Sequence, residues 1–527
     1  MHQYIKKILT KLQDCCASVT LAICIVLLIL SLLFATFKPA NKIVHVLLIS
    51  REIYPLHVID KRFLSIALDS VLIAEGFPHF DLKNPYLVKL MRPLGPGYLR
   101  IGGNMADRLR FVHNIDFSFK IKTIATEYDG ECPNEGHFCD AWDRPNFTMS
   151  DTEWMQLNEL AQQSDFTILF DLNCLIRYPN GSWNFENAED LIKFSNDHDL
   201  NVIWELGNEP NAFRHVFDYE VNATQLARDF KQLRKILLRY PKYKNSLIVG
   251  PDTTRPDLKH KESIIYLRDF LRTANITVDA ITWHQYYFNG KTATINDFLN
   301  PSVFNVLESQ ILIVKEIVAS IGAQLKPIWL GETSSAYSGG VPDCSNRFVS
   351  TFIWLDKLGI SARNGLSVVI RQTFFGGNYS LVDTNLEPLP DWWISVLFKK
   401  LVGPEVVPCY LAASDEVRVY CHCTQKNVFR YTLTSVIIYG FNVKNVEVNV
   451  RIDGYGSYVL EYILTSDGHL TSRNILLNGE PLHLFPNGTL PNFRPKVTVA
   501  HPYLTIPPYS LVFWIVPISS QSCYNVL

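Results

Sequence analysis

Glu209 lies in the run Trp204-Glu205-Leu206-Gly207-Asn208-Glu209-Pro210-Asn211, and Glu332 in Ile328-Trp329-Leu330-Gly331-Glu332-Thr333; each follows a short apolar segment of strand character. Pro210 disfavours helical geometry at the residue before it, which holds Glu209 at the strand's exit. A carboxylate at a strand end is more often solvated or salt-bridged than reactive, but two that face each other acquire a specific use. One protonates a leaving oxygen while the other, about 5–5.5 Å away, attacks an anomeric carbon, the arrangement that retaining hydrolysis of a glycoside requires. Glu209 is the expected acid/base and Glu332 the expected nucleophile. Glu205 competes with Glu209 in the same run. An unpaired charge in a core is expensive, so Glu205 is expected to be a paired structural carboxylate.

For the two glutamates to face one another, their strands must lie on opposite sides of a closed sheet. Strand-like runs occur at Phe63–Asp69, Tyr98–Ile101, Thr167–Leu172, Asn201–Leu206, Leu247–Pro251, Ala280–His284, Pro327–Leu330 and Leu366–Gln372, with helical periodicity between most of them. Thr224–Leu238 is an example: Leu226, Phe230, Leu233 and Leu237 recur at helical spacing. The pattern predicts an α/β fold, a (β/α)8 barrel over residues 63–393, whose reactive groups belong at the C-terminal ends of the strands. Glu209 and Glu332 follow the fourth and seventh runs and so face one another across the mouth. Past Trp393 the segments Val417–His422, Tyr431–Ile438, Val446–Ile452 and Tyr509–Val516 are β-rich and separated by Gly, Pro and Asn, which predicts a β-sandwich over residues 394–527. Lys42–Ile53, within residues 39–62, is expected to add an N-terminal strand to it.

Five segments carry a family resemblance: 204–211 above, Thr-Trp-His-Gln-Tyr-Tyr at 282–287, Asn-Gly-Lys-Thr-Ala-Thr at 289–294, Trp-Leu-Gly-Glu-Thr-Ser-Ser-Ala-Tyr at 329–337 and Phe-Phe-Gly-Gly-Asn-Tyr at 374–379. In this order, from about Arg62 to the C-terminus, the chain resembles the animal heparanases. The resemblance implies a barrel with a sandwich built from both chain ends, and retaining endo-β-glucuronidase activity on heparan sulfate; no metal or organic cofactor is expected. It makes Asn208 a partner of the sugar 2-hydroxyl, Tyr286 a hydrogen-bond partner of the nucleophile and His284 a further sugar contact. Tyr337, Ser338, Gly339, Gly340, Gln372, Gly377, Asn378 and Tyr379 match loops around the uronic acid carboxylate, where glycine lets backbone N–H groups approach an anion. Asp69 and Asn104 match contacts to sugar hydroxyls. There are departures. Asp257 stands where an arginine is expected, with Lys259, His260 and Lys261 beyond it, and Lys291 occupies an arginine position, keeping charge but losing bidentate geometry. The excursion Phe111–Trp154 is shorter than the linker excised from mammalian heparanase precursors, so an active single chain is expected. A glycan on the sequon at Asn378 would crowd the cleft, so that sequon is expected to be unused.

Formal net charge is −2 from 49 basic and 51 acidic residues, which gives no electrostatic reason for a nucleic acid partner; a polyanionic substrate would need a local basic patch. Lys6, Lys7 and Lys11 precede an uncharged apolar run, Ser18–Phe37. This reads as a cleaved signal peptide or an uncleaved signal-anchor within residues 1–38, and either places the rest in the secretory pathway: secreted, lysosomal or membrane-anchored. Sequons begin at Asn146, Asn180, Asn222, Asn275, Asn378 and Asn487. Of eleven cysteines, Cys132 and Cys139 suggest a local bridge and Cys423 with Cys523 a tie at the C-terminal end; spacing leaves the other pairings open, and the oligomeric state is not legible. Two other functions are compatible with these residues: an exo-β-glucuronidase with a blocked cleft, and a heparan-sulfate-binding protein without turnover, which the presence of both glutamates argues against.

Overall fold

In a computed structural model of the chain, residues 43–49, 55–113, 146–426, 435–453, 458–517 and 523 are described. The apolar N-terminal run, the Cys132/Cys139 pair and residues 114–145 of the excursion lie outside them. Among the described residues no helix is long and apolar enough to cross a membrane. A compact unit, His45–Leu527, carries both the barrel and the sandwich.

The barrel strands are β1 (Leu64–Asp69), β2 (Gly97–Gly102), β3 (Phe166–Leu172), β4 (Val202–Leu206), β5 (Val249–Thr253), β6 (Ala280–Gln285), β7 (Ile328–Thr333) and β8 (Val368–Arg371). They are parallel neighbours in the order β4-β3-β2-β1-β8-β7-β6-β5, and a bridge from Trp204 to Ile248 joins the two ends into a ring. Helices cover the outside because their apolar residues share a face. In Ala223–Leu237, Leu226, Phe230, Leu233 and Leu237 are fully buried, and Asn222 caps the first turn by accepting the Gln225 N–H. The helix Pro390–Leu401 continues this ring past residue 393, so the change from helix to sheet falls at Val402.

Alternate strand residues point inward. Tyr98, Leu169, Ile203, Val249 and Trp329 belong to an apolar plug that fills the barrel floor, with the Tyr98 and Trp329 rings stacked at 4.9 Å. Two residues further along β2, β3 and β4 the same inward face carries Arg100, Asp171 and Glu205. The plug thus forms the base of a buried polar tier beneath the barrel mouth.

The sandwich is two sheets. The larger places Val417–Thr424, Ser435–Asn442, Ser510–Pro517 and Tyr458–Ser466 side by side; the smaller joins Cys409–Leu411, the N-terminal strand Val44–Ile49, Val448–Ile452 and Leu504–Ile506. Leu47, Ile438, Val450, Leu504 and Trp514 belong to the core between the sheets. The other face of the larger sheet packs on the barrel: Tyr420 donates to Asp356 at 2.6 Å from Ser350–Arg363, and Phe398 meets Tyr439 at 5.6 Å. Disulfides join Cys409 to Cys421, across the sheets, and Cys423 to Cys523, the latter as expected.

Candidate active site

Both glutamates open into one cleft of about 670 Å³ at the C-terminal ends of the strands. Glu332 ends β7 facing inward. Tyr286 donates to its Oε1 at 2.6 Å and Arg100 Nη1 to its Oε2 at 2.7 Å, so both oxygens are oriented. Glu209 follows β4 in the left-handed region, φ 51° and ψ 53°, rather than in the extended geometry expected before proline. A three-residue 3₁₀ turn, Pro210–Ala212, then carries the chain away. Gly207 makes this corner possible: its φ is +85°, and a Cβ there would sit 2.7 Å from the Cys174 Cβ.

Arg100 organises the floor of the cleft. Fully buried on β2, it donates Nε to Glu205 at 2.8 Å, and Nη2 both to Asp252 at 2.8 Å and to the Asn208 side-chain oxygen at 2.9 Å. Glu205 is therefore partnered by Arg100 inside the barrel, where burial, outweighing that cation, pushes its carboxyl well above the usual range. Asn208 is held at three polar atoms: besides its side-chain oxygen, its Nδ2 donates to Asn104 at 2.8 Å and its backbone N–H to Asp107 at 2.9 Å. Neither Arg100 nor Asp252 was singled out from the sequence. The available signal was a lone arginine inside the apolar run Tyr98–Ile101, which needs buried carboxylates as partners.

His284, expected as a sugar contact, is only 1% exposed and is committed to protein groups: Nδ1 lies 3.0 Å from Glu209 Oε1 and Nε2 3.4 Å from Asp252 Oδ2. In the structure it holds Glu209 while still lining the cleft in which a sugar contact was expected. Burial opposes charge on the imidazole, but Asp252 and Glu332 outweigh it and raise its pKa to about 10. Burial would also raise Asp252, yet Arg100 and His284 hold it well below the usual carboxylate range. Asp69 is pushed up to about 6 by burial, assisted by the charge of Glu332, while Gln372 donates to it at 2.9 Å.

Asp69, Asn104, Asn208, His284, Tyr286, Lys291, Tyr337, Ser338, Gly339, Gln372, Gly377 and Tyr379 all line the same cleft as the two glutamates. Asn378 does not. Its backbone N–H donates to Gly339 O at 2.7 Å, so it serves to zip two loops together. Gly340, at φ +86°, allows the approach: a Cβ there would lie 2.9 Å from the Tyr379 nitrogen. Arg255, which the sequence reading passed over in noting Asp257, also lines the cleft; it donates to Tyr286 O at 2.9 Å and lies 5.6 Å from the Tyr337 ring centre. His260 and Lys291 add to this basic wall, whereas Asp257, Glu75 and Glu262 contribute acidic groups.

A closed (β/α)8 barrel with a glutamate at the end of β4 and another at the end of β7, both lining one cleft, is an architecture of glycoside hydrolases. The chain matches the N-terminal domain of glycosyl hydrolase family 79 over residues 73–359, and it belongs to that family. It is similar to heparanase of Gallus gallus, 34% identical over 93% of this chain and 98% of that one, and to hyaluronoglucuronidase of Hirudo nipponia, 36% identical over 81% and 89%. It is also similar to inactive heparanase-2 of Mus musculus, 31% identical over 88% and 86%. In fold it resembles a 4-O-α-L-rhamnosyl-β-D-glucuronidase from Fusarium oxysporum, with a TM-score of 0.63, 15% identity and coverage of 89% of this chain and 99% of that one.

Proposed function

We propose that the protein is a retaining endo-β-glucuronidase that cleaves at glucuronic acid within heparan sulfate or a related polymer, with Glu209 as acid/base and Glu332 as nucleophile. The observation that carries this reading is the pair of hydrogen bonds, from Tyr286 and Arg100, that aim Glu332 into a cleft whose wall holds Glu209. Glu332 attacks the anomeric carbon as Glu209 gives its proton to the departing glycosidic oxygen. A water then takes the place of the leaving group, gives a proton to Glu209 and releases the sugar from Glu332 with net retention. Asn208 and Asn104 sit beside Glu209 to meet a sugar hydroxyl, and the loops of Gly339 and Gly377 would meet the uronate. The two disulfides support an oxidising compartment, in line with a lumenal or extracellular site for the enzyme.

A second substrate reading, a sparsely sulfated glucuronide polymer, is favoured by Asp257, Glu75 and Glu262 beside the cleft's cations. Digestion of matched oligosaccharides of heparan sulfate, its unsulfated backbone and hyaluronan, with NMR of the first product, tests both. Early internal cuts with a retained β-anomer are expected. An inverted first anomer, or monosaccharide released before any shortening, contradicts the mechanism or the endo mode.

A further inference from the structure

Behind the cleft, outside the barrel wall, Lys357 on the helix Ser350–Arg363 is completely buried. Its Nζ donates to Gln285 Oε1 at 2.6 Å, to Ser334 O at 2.7 Å and to Thr333 Oγ1, and lies 4.6 Å from the Tyr287 ring centre. Thr333 in turn donates to Gln285 O, so the lysine and the threonine form one knot between the ends of β6 and β7. Gln285 and Thr333 point outward; the adjacent residues Tyr286 and Glu332 point into the cleft. The knot lies just past an irregularity in backbone pairing: the β6–β7 register shifts between Trp283 and His284 before Gln285 pairs with Thr333, and the β7–β8 register shifts between Leu330 and Thr333. A continuous ladder would fix Glu332 by itself, and here the ladder is interrupted beside it. Filling this space would need only a methionine, whereas burying an amine is costly unless its donors are used. Three oxygens lie within hydrogen-bond reach of Nζ, so the amine's donors are used even though burial, with the charge of Arg371, holds its pKa well below the usual lysine range.

We propose that Lys357 is a positioning residue that ties β6 to β7 at this irregularity and thereby sets the contact between Tyr286 and Glu332. The inference rests on the catalytic reading above. Its test is Lys357→Met in the full chain, with Thr333→Val as a milder variant that keeps the lysine but removes one of its acceptors together with the hydroxyl's own bond to Gln285 O. Kinetics on a heparan sulfate oligosaccharide and a crystal structure of each variant are read together. A shift of about 1 Å in a reacting group is worth on the order of 100-fold in rate. The expected result is kcat lowered on that scale in Lys357→Met with KM changed by no more than about threefold, a smaller fall in Thr333→Val, and a lengthened Tyr286–Glu332 contact. Full kcat in a folded variant, or a lower melting temperature with the Tyr286–Glu332 contact unchanged, overturns the proposal. If Lys357→Met does not fold, Thr333→Val decides by the same two readouts. Persistent activity in Glu332→Gln would sink the catalytic reading instead, and the crystallographic contact would still decide whether Lys357 positions Glu332.

Discussion

Arg100 donates at once to Glu205, Asn208, Asp252 and Glu332, so these groups share one cation and removing any of them changes the field at the others. Glu209 is reached only indirectly, through Asp252 and His284. This separates the two glutamates of one motif. Glu209→Gln keeps the Arg100 knot, and we expect a folded protein with kcat on heparan sulfate oligosaccharides reduced by at least about 10³-fold. Glu205→Gln weakens a buried pair, and we expect a lower melting temperature, on the order of 3 kcal/mol of lost stability, with activity falling in step with the folded fraction. A stable but dead Glu205→Gln beside an active Glu209→Gln would reverse the assignment. Both glutamates were legible because each stands in a distinctive run at a strand's end. The reach of Arg100 was not, since carboxylates from β3, β4, β5 and β7 converge on it only after the ring closes.

Elements place these side chains, and the loops after β7 and β8 are the ones most exposed to small changes. Gly340→Ala would put a Cβ against the Tyr379 nitrogen at a positive φ, which costs roughly 1–2 kcal/mol of backbone strain. We expect KM to rise about tenfold with little loss of folded protein, as read by steady-state kinetics beside a melting curve; an unchanged KM would remove these loops from the substrate site. The barrel strands could be read to within a few residues because each is a short apolar run between helical patterns. Tyr458–Ser466 was missed because Glu461 interrupts its apolar pattern. In the fold that glutamate is buried and satisfied, accepting from Trp514 at 3.0 Å and Thr498 at 2.9 Å, so a charge that reads as a break is a paired core residue.

At the scale of the whole molecule, two features bear on where and how the protein works. The flanks of the excursion are held in parallel register, Leu109 with Phe147 through Val112 with Ser150. A cut within residues 114–145 would thus leave both flanks anchored. We expect the uncut chain to be active and nicking to change its rate on heparan sulfate oligosaccharides by less than about twofold; activity appearing only after nicking would show a zymogen. The second feature is pH dependence. Burial raises Asp69 and Asp356 to about 6 and Asp107 to about 7, whereas an unfolded aspartate titrates near 3.9. Between these values the folded chain holds protons that the unfolded chain has lost, so these groups lower stability as pH rises. His422, lowered by burial to about 4, acts in the opposite sense below about 6.5. Lys399, lowered by burial to about 7, and Lys357, lowered by burial, also oppose the aspartates, whereas His284, raised to about 10, and the buried carboxyls of Asp171, Glu205 and Asp391, all raised, act with them. The raised groups are the more numerous, and the melting temperature is expected to fall by several degrees from pH 5 to pH 7.5, a range that a series of calorimetric scans covers; a rise would contradict the burial assigned to these carboxyls.

The most direct test of the central claim is covalent. An activated 2-deoxy-2-fluoro-glucuronide should acylate no side chain but glycosylate the nucleophile, and its slow turnover allows the labelled peptide to be sequenced by mass spectrometry. The account predicts one sugar per chain, attached to Glu332 and absent in Glu332→Gln. A label on Glu209, Glu205 or Asp69, or turnover with no covalent intermediate and an inverted product, would contradict it.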